Sequence, residues 1–404
     1  MRIPAAIYPF SAELLPAVKY FERLQDRYTL TKLISLPGFG LGGKDAAYAC
    51  NQPETGFLVT EELWGEDPSW ETLLVSRHLP PERFPHEKMV NAVRQVLKAG
   101  KDVLYFDTAM GEVPEPIWEL ANAYPERLGV FTEDLHPTDR TQMDDRYGTL
   151  RAPVMLVGGL AATADSFEVL TGMALGLQKK GLQPLVISRQ PLGKLFRFHS
   201  LNHIFNSRDG SEADRILGLN TFLQDLERRY LPDLILMEAP DPVMRYNNIA
   251  PNGFGIRTYM LCQAAPPDYL LCCVPCDLAV GNFLEMLSDD FSHRLGAAIS
   301  GVCVSNFIVD SANLLQTREV SYARTGMEMV YAQIEREGPC SKIPMFYAAE
   351  EEMERLCQTE KQEDLYTQMW KEFFHTIAVE KRENPVCQRN LFPLRYRKHV
   401  TEFL

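Results

Sequence analysis

The sequence has no long hydrophobic run, and no stretch approaches the roughly 20 consecutive apolar residues that a membrane-spanning helix needs. Its first residues contain a single arginine, Arg2, and any signal-peptide core is interrupted by Pro4, Pro9 and Glu13. This segment therefore predicts a first β-strand rather than a signal peptide. We expect a cytoplasmic protein without a membrane partner.

Positive charge is also scarce, since 41 Lys and Arg residues face 54 Asp and Glu residues and the formal net charge is −13. A protein that binds nucleic acid needs clustered lysine and arginine to neutralise the phosphates. The composition therefore argues against a nucleic-acid partner. It is compatible with basic peptides, with metal ions or with simple solubility.

Cysteine is sparse too: the nine cysteines in 404 residues are an odd number, which fits reduced thiols rather than a disulfide framework. CCVPC at 272–276 contains one C-x-x-C, for which ordinary packing is favoured over a redox pair or half of a metal site, because no second C-x-x-C exists. His199 and His203 have the i, i+4 spacing of helical metal ligands, but H-E-x-x-H is absent and a polar face is favoured. G-x-S-x-G and a recognisable nucleophile–base pair are missing, so we assign no catalytic residue and no metal site.

What the sequence does contain is a regular alternation of short apolar runs with amphipathic segments, which predicts parallel sheets with helices on their faces. Residues 135–150 are polar and rich in turn-forming residues, which indicates a domain boundary. We predict an α/β protein with two three-layer parallel-sheet domains. A Rossmann-like domain covers 1–134, a second α/β domain covers 150–335, and a helical C-terminal extension covers 336–404.

The glycine-rich stretch PGFGLGGKDA, at 37–46, has most of the letters of a phosphate-binding loop. However, Asp45 replaces the magnesium-binding Ser or Thr that would follow Lys44, and the next segment is too short and broken for the usual helix. Two interpretations remain, a glycine-rich turn and a loop that binds an anion in a cleft between the domains. In the second interpretation the binding residues are Gly38, Gly40, Gly43, Lys44 and Asp45.

The stretch VGGLAATADSFEVLTGMALGL has the better position, because it joins an apolar strand at 153–158 to a helix at 166–180. Aligned with G-x-x-x-x-G-K-[ST], it has Gly159 as the first glycine, Asp165 in place of the lysine and Ser166 as the hydroxyl. Two later strands end in SRQP and MEAPDP. This succession resembles the dethiobiotin-synthetase-like branch of P-loop NTPases, which includes metallocentre-assembly GTPases.

The resemblance implies a P-loop fold, but Asp165 brings a negative charge to the place where a nucleotide phosphate would lie. We therefore expect a degenerate P-loop domain that has lost its chemistry, and ATP or GTP with magnesium is disfavoured as a cofactor. A metal or cationic ligand held by acids at the strand ends is the remaining option. The candidate binding residues of this domain are Gly158, Gly159, Thr163, Asp165, Ser166, Arg189, Glu238, Asp241 and Asn252.

Four segments together resemble the peptide maturation system proteins: AIYPFSAELLPAVKYFERL, YTLTKLISLPGFGLGGKDAAYA, PDLILMEAPDPVMRYNNIAPNGFGI and GVCVSNFIVD. Proteins of that family are encoded beside radical-SAM maturases in operons for Cys-rich ribosomally synthesised peptides. The resemblance implies an accessory role in making a modified peptide, with the precursor peptide, the maturase or both as partners, and assigns no chemistry. The alternative is a nucleotide-dependent enzyme, a ligase or metallocentre helper that binds ATP or GTP in the interdomain cleft. The sequence leaves open whether the chain forms a homodimer.

Overall fold

The computed structural model describes residues 2–108, 110–133, 147–161, 165–207, 210–318 and 320–348. Its first half contains a six-stranded parallel sheet. The strands are β1 Ile3–Phe10, β2 Tyr28–Ser35, β3 Val59–Thr60, β4 Thr72–Ser76, β5 Asp102–Phe106 and β6 Leu128–Phe131, in the spatial order β3-β2-β1-β4-β5-β6. The strand order reverses beside β1, and open α/β sheets bind ligands at the carboxyl edge of such a point.

The helices of this half are α1 Leu15–Lys19, α2 Phe21–Leu24, α3 His86–Lys98 and α4 Glu115–Ala123. The sequence pattern predicts one helix from Ser11 onward, but the structure breaks it into a 3₁₀ turn at Ala12–Leu14 followed by α1 and α2. Pro16 lies in the first turn of α1, where its missing N–H costs no helical hydrogen bond. The proline therefore fixes where this helix starts.

The second half contains another parallel sheet of six strands. They are β7 Val154–Gly159, β8 Pro184–Ile187, β9 Leu234–Glu238, β10 Tyr269–Pro275, β11 Ile299–Ser305 and β14 Met345–Phe346, in the spatial order β14-β11-β10-β7-β9-β8. The antiparallel hairpin of β12 Phe307–Val309 and β13 Tyr322–Arg324 follows β11. The helices are α5 Asp165–Lys179, α6 Asn202–Phe205, α7 Glu212–Tyr230, α8 Ile256–Ala264, α9 Gly281–Leu295, α10 Ser311–Thr317 and α11 Met327–Glu337.

These two sheets with helices on their faces confirm the predicted three-layer α/β architecture. The last strand, β14, lies inside the segment 336–404 that the sequence assigns to a helical extension, and it pairs with β11 of the second sheet. Residues 349–404 of that extension lie outside the described residues. Among the described residues, none of the helices has the length and apolar character required to span a bilayer.

Helix α5, which follows β7, lies between the two halves of the molecule. Every residue from Asp165 to Leu177 is buried. One cluster of buried side chains joins Ile7 and Leu74 of the first sheet to Phe167 of the helix and Val157 of the second sheet. Both halves of the chain therefore contribute side chains to the core that encloses this helix.

Candidate functional site

Glu238, the last residue of β9, is the centre of a buried polar network at the carboxyl edge of the second sheet. One carboxylate oxygen accepts hydrogen bonds from Ser166 Oγ at 2.9 Å and Arg189 Nε at 3.0 Å. The other oxygen accepts from Ser188 Oγ at 2.7 Å and from the backbone N–H of Arg189 at 3.1 Å. The network therefore joins the start of α5 to the ends of β8 and β9.

The charge of Glu238 is balanced by Arg189, which forms an ion pair with it. Burial lowers the pKa of Arg189, while the charge of Glu238 and the hydrogen bond to it raise this pKa, with a net result above the ordinary value. The carboxylate has a donor on each oxygen and a cation beside it. Binding a magnesium ion at Glu238 would require breaking these contacts.

Asp165, the residue in the lysine position of the phosphate-loop pattern, forms a buried ion pair with Arg324 at the end of β13. Its Oδ1 lies 3.3 Å from Arg324 Nη1, which also donates to Asn306 Oδ1 at 2.6 Å. The Arg324 guanidinium lies over the rings of Phe307 and Tyr322, 5.6 and 5.3 Å from their centroids. Burial lowers the pKa of Arg324, but the charge of Asp165 raises it, and the net pKa lies above its usual value.

The positive charge of Arg324 thus reaches the lysine position from a different element of the fold. The arginine comes from the β12–β13 hairpin, whose place is fixed partly by the first domain: Asn306 Nδ2 donates to the carbonyl oxygen of Cys50 at 2.6 Å. The pair therefore compensates Asp165 within the protein, with no need for an external cation.

The remaining candidates of the second domain have structural contacts. Gly158 has no room for a side chain, because a Cβ there would lie 2.5 Å from Val243 Cγ1. Asn252 has a left-handed φ of 50° and its Nδ2 donates to the carbonyl oxygen of Leu160 at 3.0 Å, so this side chain fixes its loop against the end of β7. Asp241 is 34% exposed and lies 3.6 Å from Arg257.

Two further candidates complete this set. A Cβ at Gly159 would lie 3.2 Å from the carbonyl oxygen of Cys273, a close approach that favours glycine. Thr163 lies outside the described residues, as do its neighbours at 162 and 164.

The first-domain loop at 37–46 is a glycine turn that is closed by Asp45. Its carboxylate accepts hydrogen bonds from the backbone N–H groups of Ala47 at 2.8 Å, Thr55 at 3.0 Å and Gly56 at 2.8 Å. Burial raises the pKa of Asp45, but these hydrogen bonds together lower it by more than burial raises it. The net pKa therefore lies below the ordinary value. Asp45 therefore fills a structural role that a magnesium-binding serine or threonine would not.

The other residues of this loop agree with a turn. Gly38, Gly40 and Gly43 have φ angles of 89°, 70° and 74°, which favour glycine. The Lys44 ammonium lies over the ring of Tyr48, 3.9 Å from its centroid. The structure brings Asp165, Ser166, Arg189 and Glu238 to one edge of the second sheet. The side-chain contacts described for Lys44 and Asp45 are instead with residues 47–56 of the first half.

The two domains nevertheless meet beside α5. Lys19 Nζ forms an ion pair with Glu168 at 2.6 Å, and Gln52 Nε2 donates to the same carboxylate at 3.2 Å. The Sγ of Cys50 lies 3.8 Å from the carbonyl oxygen of Ala12, just beyond β1. The edge of the first sheet therefore adjoins the Asp165–Arg324 pair through Cys50.

The structure also shows a hydrogen-bonded serine–histidine pair that the sequence analysis missed. Ser11 precedes the 3₁₀ turn after β1, but its side chain makes no capping hydrogen bond. Its Oγ lies 2.8 Å from Nε2 of His78, and His78 Nδ1 lies 3.2 Å from the carbonyl oxygen of Ser76. A carbonyl only accepts, so neutral His78 carries its proton on Nδ1 and its Nε2 accepts the hydroxyl hydrogen of Ser11.

The cysteine and histidine patterns are not brought together as metal ligands. Burial raises the pKa of Cys272, which makes it a poor thiolate. His199 precedes α6 and lies 3.0 Å from Glu133, whereas His203 packs edge-on against Phe222. Over the described ranges, no three His, Cys, Asp or Glu side chains are arranged to hold a metal ion.

Comparison with known proteins finds a family model that matches one segment of the sequence and solved structures that resemble the chain. A family model described as a domain of unknown function, DUF4130, matches residues 284–402. No curated protein matches the chain. The crystal structure of a DUF1611 family protein from Anabaena variabilis is 13% identical, covers 91% of this chain and all (100%) of that chain, and has a TM-score of 0.54.

The apo crystal structure of a GTPase from Pyrococcus abyssi also matches, at 13% identity, a TM-score of 0.27, and coverage of 59% of this chain and 100% of that chain. At 13% identity the similarity to the DUF1611 family protein concerns the fold alone and carries no activity with it. With two parallel sheets and a strand–loop–helix unit at the centre of the second, the chain fits a P-loop-like α/β fold.

Proposed function

We propose that this chain is a binding protein derived from a P-loop fold, which does not hydrolyse nucleotides and acts as an accessory protein in the maturation of a ribosomally synthesised peptide. The observation that carries the first part is the buried ion pair between Asp165 and Arg324 in the lysine position. The second part rests on the sequence segments that resemble the peptide maturation system proteins. Its partners are the precursor peptide, the radical-SAM maturase or both.

Charge is the physical reason for excluding hydrolysis. A P-loop lysine neutralises the phosphates of the nucleotide, whereas the buried carboxylate of Asp165 would repel them. Arg324, which pairs with Asp165, also donates a hydrogen bond to Asn306 Oδ1 and is therefore already engaged within the protein. Glu238, in the position where a metal-binding acid would lie, already accepts four hydrogen bonds.

Thermal denaturation with millimolar ATP or GTP and magnesium should leave the melting temperature unchanged. A nucleotide present at 100 times its dissociation constant would stabilise the folded chain by about 2.7 kcal/mol, which is easily measured. A rise of several degrees would support the alternative, a nucleotide-dependent enzyme. The Lys44→Ala and Ser166→Ala variants would then show which of the two loops binds.

Calorimetric titration should detect binding of the full chain to a precursor peptide encoded beside its gene, or to the neighbouring radical-SAM maturase. The control is a scrambled peptide of identical composition, because a protein with a net charge of −13 attracts basic peptides without specificity. Equal binding of both peptides together with no binding of the maturase would contradict the accessory role.

A further inference from the structure

Three adjacent strands of the first sheet end in a serine or are followed directly by one, at the point where the strand order reverses. Ser35 ends β2, Ser11 follows β1 and Ser76 ends β4; Phe10 of β1 is the register partner of Ser35. The hydroxyls of Ser35 and Ser76 are buried and have no hydrogen-bond partner among the described residues. Buried hydroxyls without partners are uncommon in proteins, and ligand groups are one way to satisfy them.

The second half of the chain contacts β4 and β5 of this sheet through the 3₁₀ helix Pro191–Phe196. Gln190, which precedes the 3₁₀ helix Pro191–Phe196, is buried, and its Oε1 has no partner within the described part of the chain. Burial raises the pKa of Glu13, while the nearby charges of Arg189 and Arg83 lower it, and the net pKa lies above its ordinary value. Glu13, two residues after Ser11, is therefore within electrostatic reach of Arg189 from the second half of the chain.

The pair itself has the arrangement of an activated serine. His78 Nε2 accepts the hydrogen of Ser11 Oγ, and the Ser76 carbonyl fixes the imidazole in the tautomer that leaves Nε2 free to accept. His78 is partly buried and Ser11 is buried, with 6% of its surface exposed. Burial lowers the pKa of His78 to about 4, so the imidazole is neutral at pH 7 and its Nε2 is free to accept the hydrogen bond of Ser11, while the same shift makes it a weaker base than an exposed histidine.

We propose that Ser11 is a nucleophile towards acyl esters or thioesters, with His78 as its general base, at the carboxyl edge of the first sheet. Ser11 Oγ forms a bond to the acyl carbon while the bond from that carbon to the alkoxide or thiolate leaving group breaks. The hydroxyl proton passes to His78 Nε2 and then to the leaving group. Attack by water or an amine on the acyl-serine, with its proton returned through His78 to Ser11 Oγ, completes the cycle.

The test uses the full chain and p-nitrophenyl acetate, with nitrophenolate release followed by absorbance and the acetylated residue mapped by mass spectrometry. We expect acetylation of Ser11, its loss in Ser11→Ala, and a rate about 100 to 10,000 times lower in His78→Gln. Glutamine keeps an acceptor near the position of Nε2 but cannot take the proton. Ser305→Ala, which removes a buried hydroxyl at the edge of the second sheet, should leave the rate unchanged.

The pH dependence distinguishes a base-assisted serine from ordinary surface esterolysis. The neutral form of His78 increases as pH rises through its pKa of about 4, so the rate should rise there and stay constant from about pH 6 to 8. An unassisted hydroxyl would instead react faster throughout that range as its alkoxide forms. Two results would overturn the proposal even if the Ser11→Ala variant does not fold. One is acetylation at a residue other than Ser11, and the other is an unchanged rate in a folded His78→Gln variant.

Discussion

Replacing Arg324 with methionine should lower the free energy of unfolding by about 3–5 kcal/mol. The Asp165 and Arg324 side chains are only 5% and 12% exposed, so removal of the guanidinium leaves a carboxylate in the interior without its cation. Asn306 Oδ1 would lose its donor at the same time. Urea denaturation of the purified chain, followed by tryptophan fluorescence, gives the free energy.

The matched comparison is a double variant that combines Arg324→Met with Asp165→Asn. The second substitution removes the negative charge of Asp165, which the first leaves without Arg324. The double variant should be more stable than the sum of the two single effects predicts, since residues in one ion pair couple by about 0.5–3 kcal/mol. Arg294→Met, which breaks an exposed pair with Asp290 on α9, serves as a surface control and should cost less than about 1 kcal/mol. Equal losses for Arg324→Met and Arg294→Met would contradict the structural role of the buried pair.

Glu238→Gln is the second substitution with a large expected effect, a loss of about 3 kcal/mol in unfolding free energy. The amide has the size of the carboxylate but only one acceptor oxygen, while the protein directs donors to both oxygens. Whichever way the amide is oriented, its NH₂ group faces another donor. Arg189 also loses the charge of its partner.

The control for this substitution is Ser166→Ala, which removes one of the four hydrogen bonds and leaves the ion pair with Arg189 intact. Its expected cost is about 1 kcal/mol, measured in the same urea titration. If Glu238→Gln and Ser166→Ala cost the same, the network does not depend on the charge of Glu238, and the argument that this acid is fully engaged fails.

The parts of this site that follow from local sequence could be predicted. Asp165 and Ser166 follow a buried strand and open a long helix, so their place at the edge of the sheet follows from the spacing of apolar residues and glycines. The same reasoning brings Glu238 there, because the carboxyl ends of parallel strands share an edge. The alternation of strands and helices could be predicted from the same spacing of apolar residues.

The partners of these residues could not be predicted, because they are distant in the sequence and no periodic pattern marks them. Arg324 is 159 positions from Asp165, on a short hairpin that the sequence pattern does not indicate. His78 is 67 positions from Ser11, which sequence reasoning assigns to a helix cap. Only the packing of sheet edges and of one domain against the other brings these side chains together.

The enclosure of helix α5 has a consequence for how this protein tolerates change. A helix with one exposed face accepts many substitutions there, but here every residue from Asp165 to Leu177 is buried, so each replacement must fit a densely packed interior. Asp165, the residue that departs most from the phosphate-loop pattern, thus lies at the start of a segment that accepts few substitutions. Its aspartate is part of a matched set with Arg324, and the two positions are expected to change together or not at all.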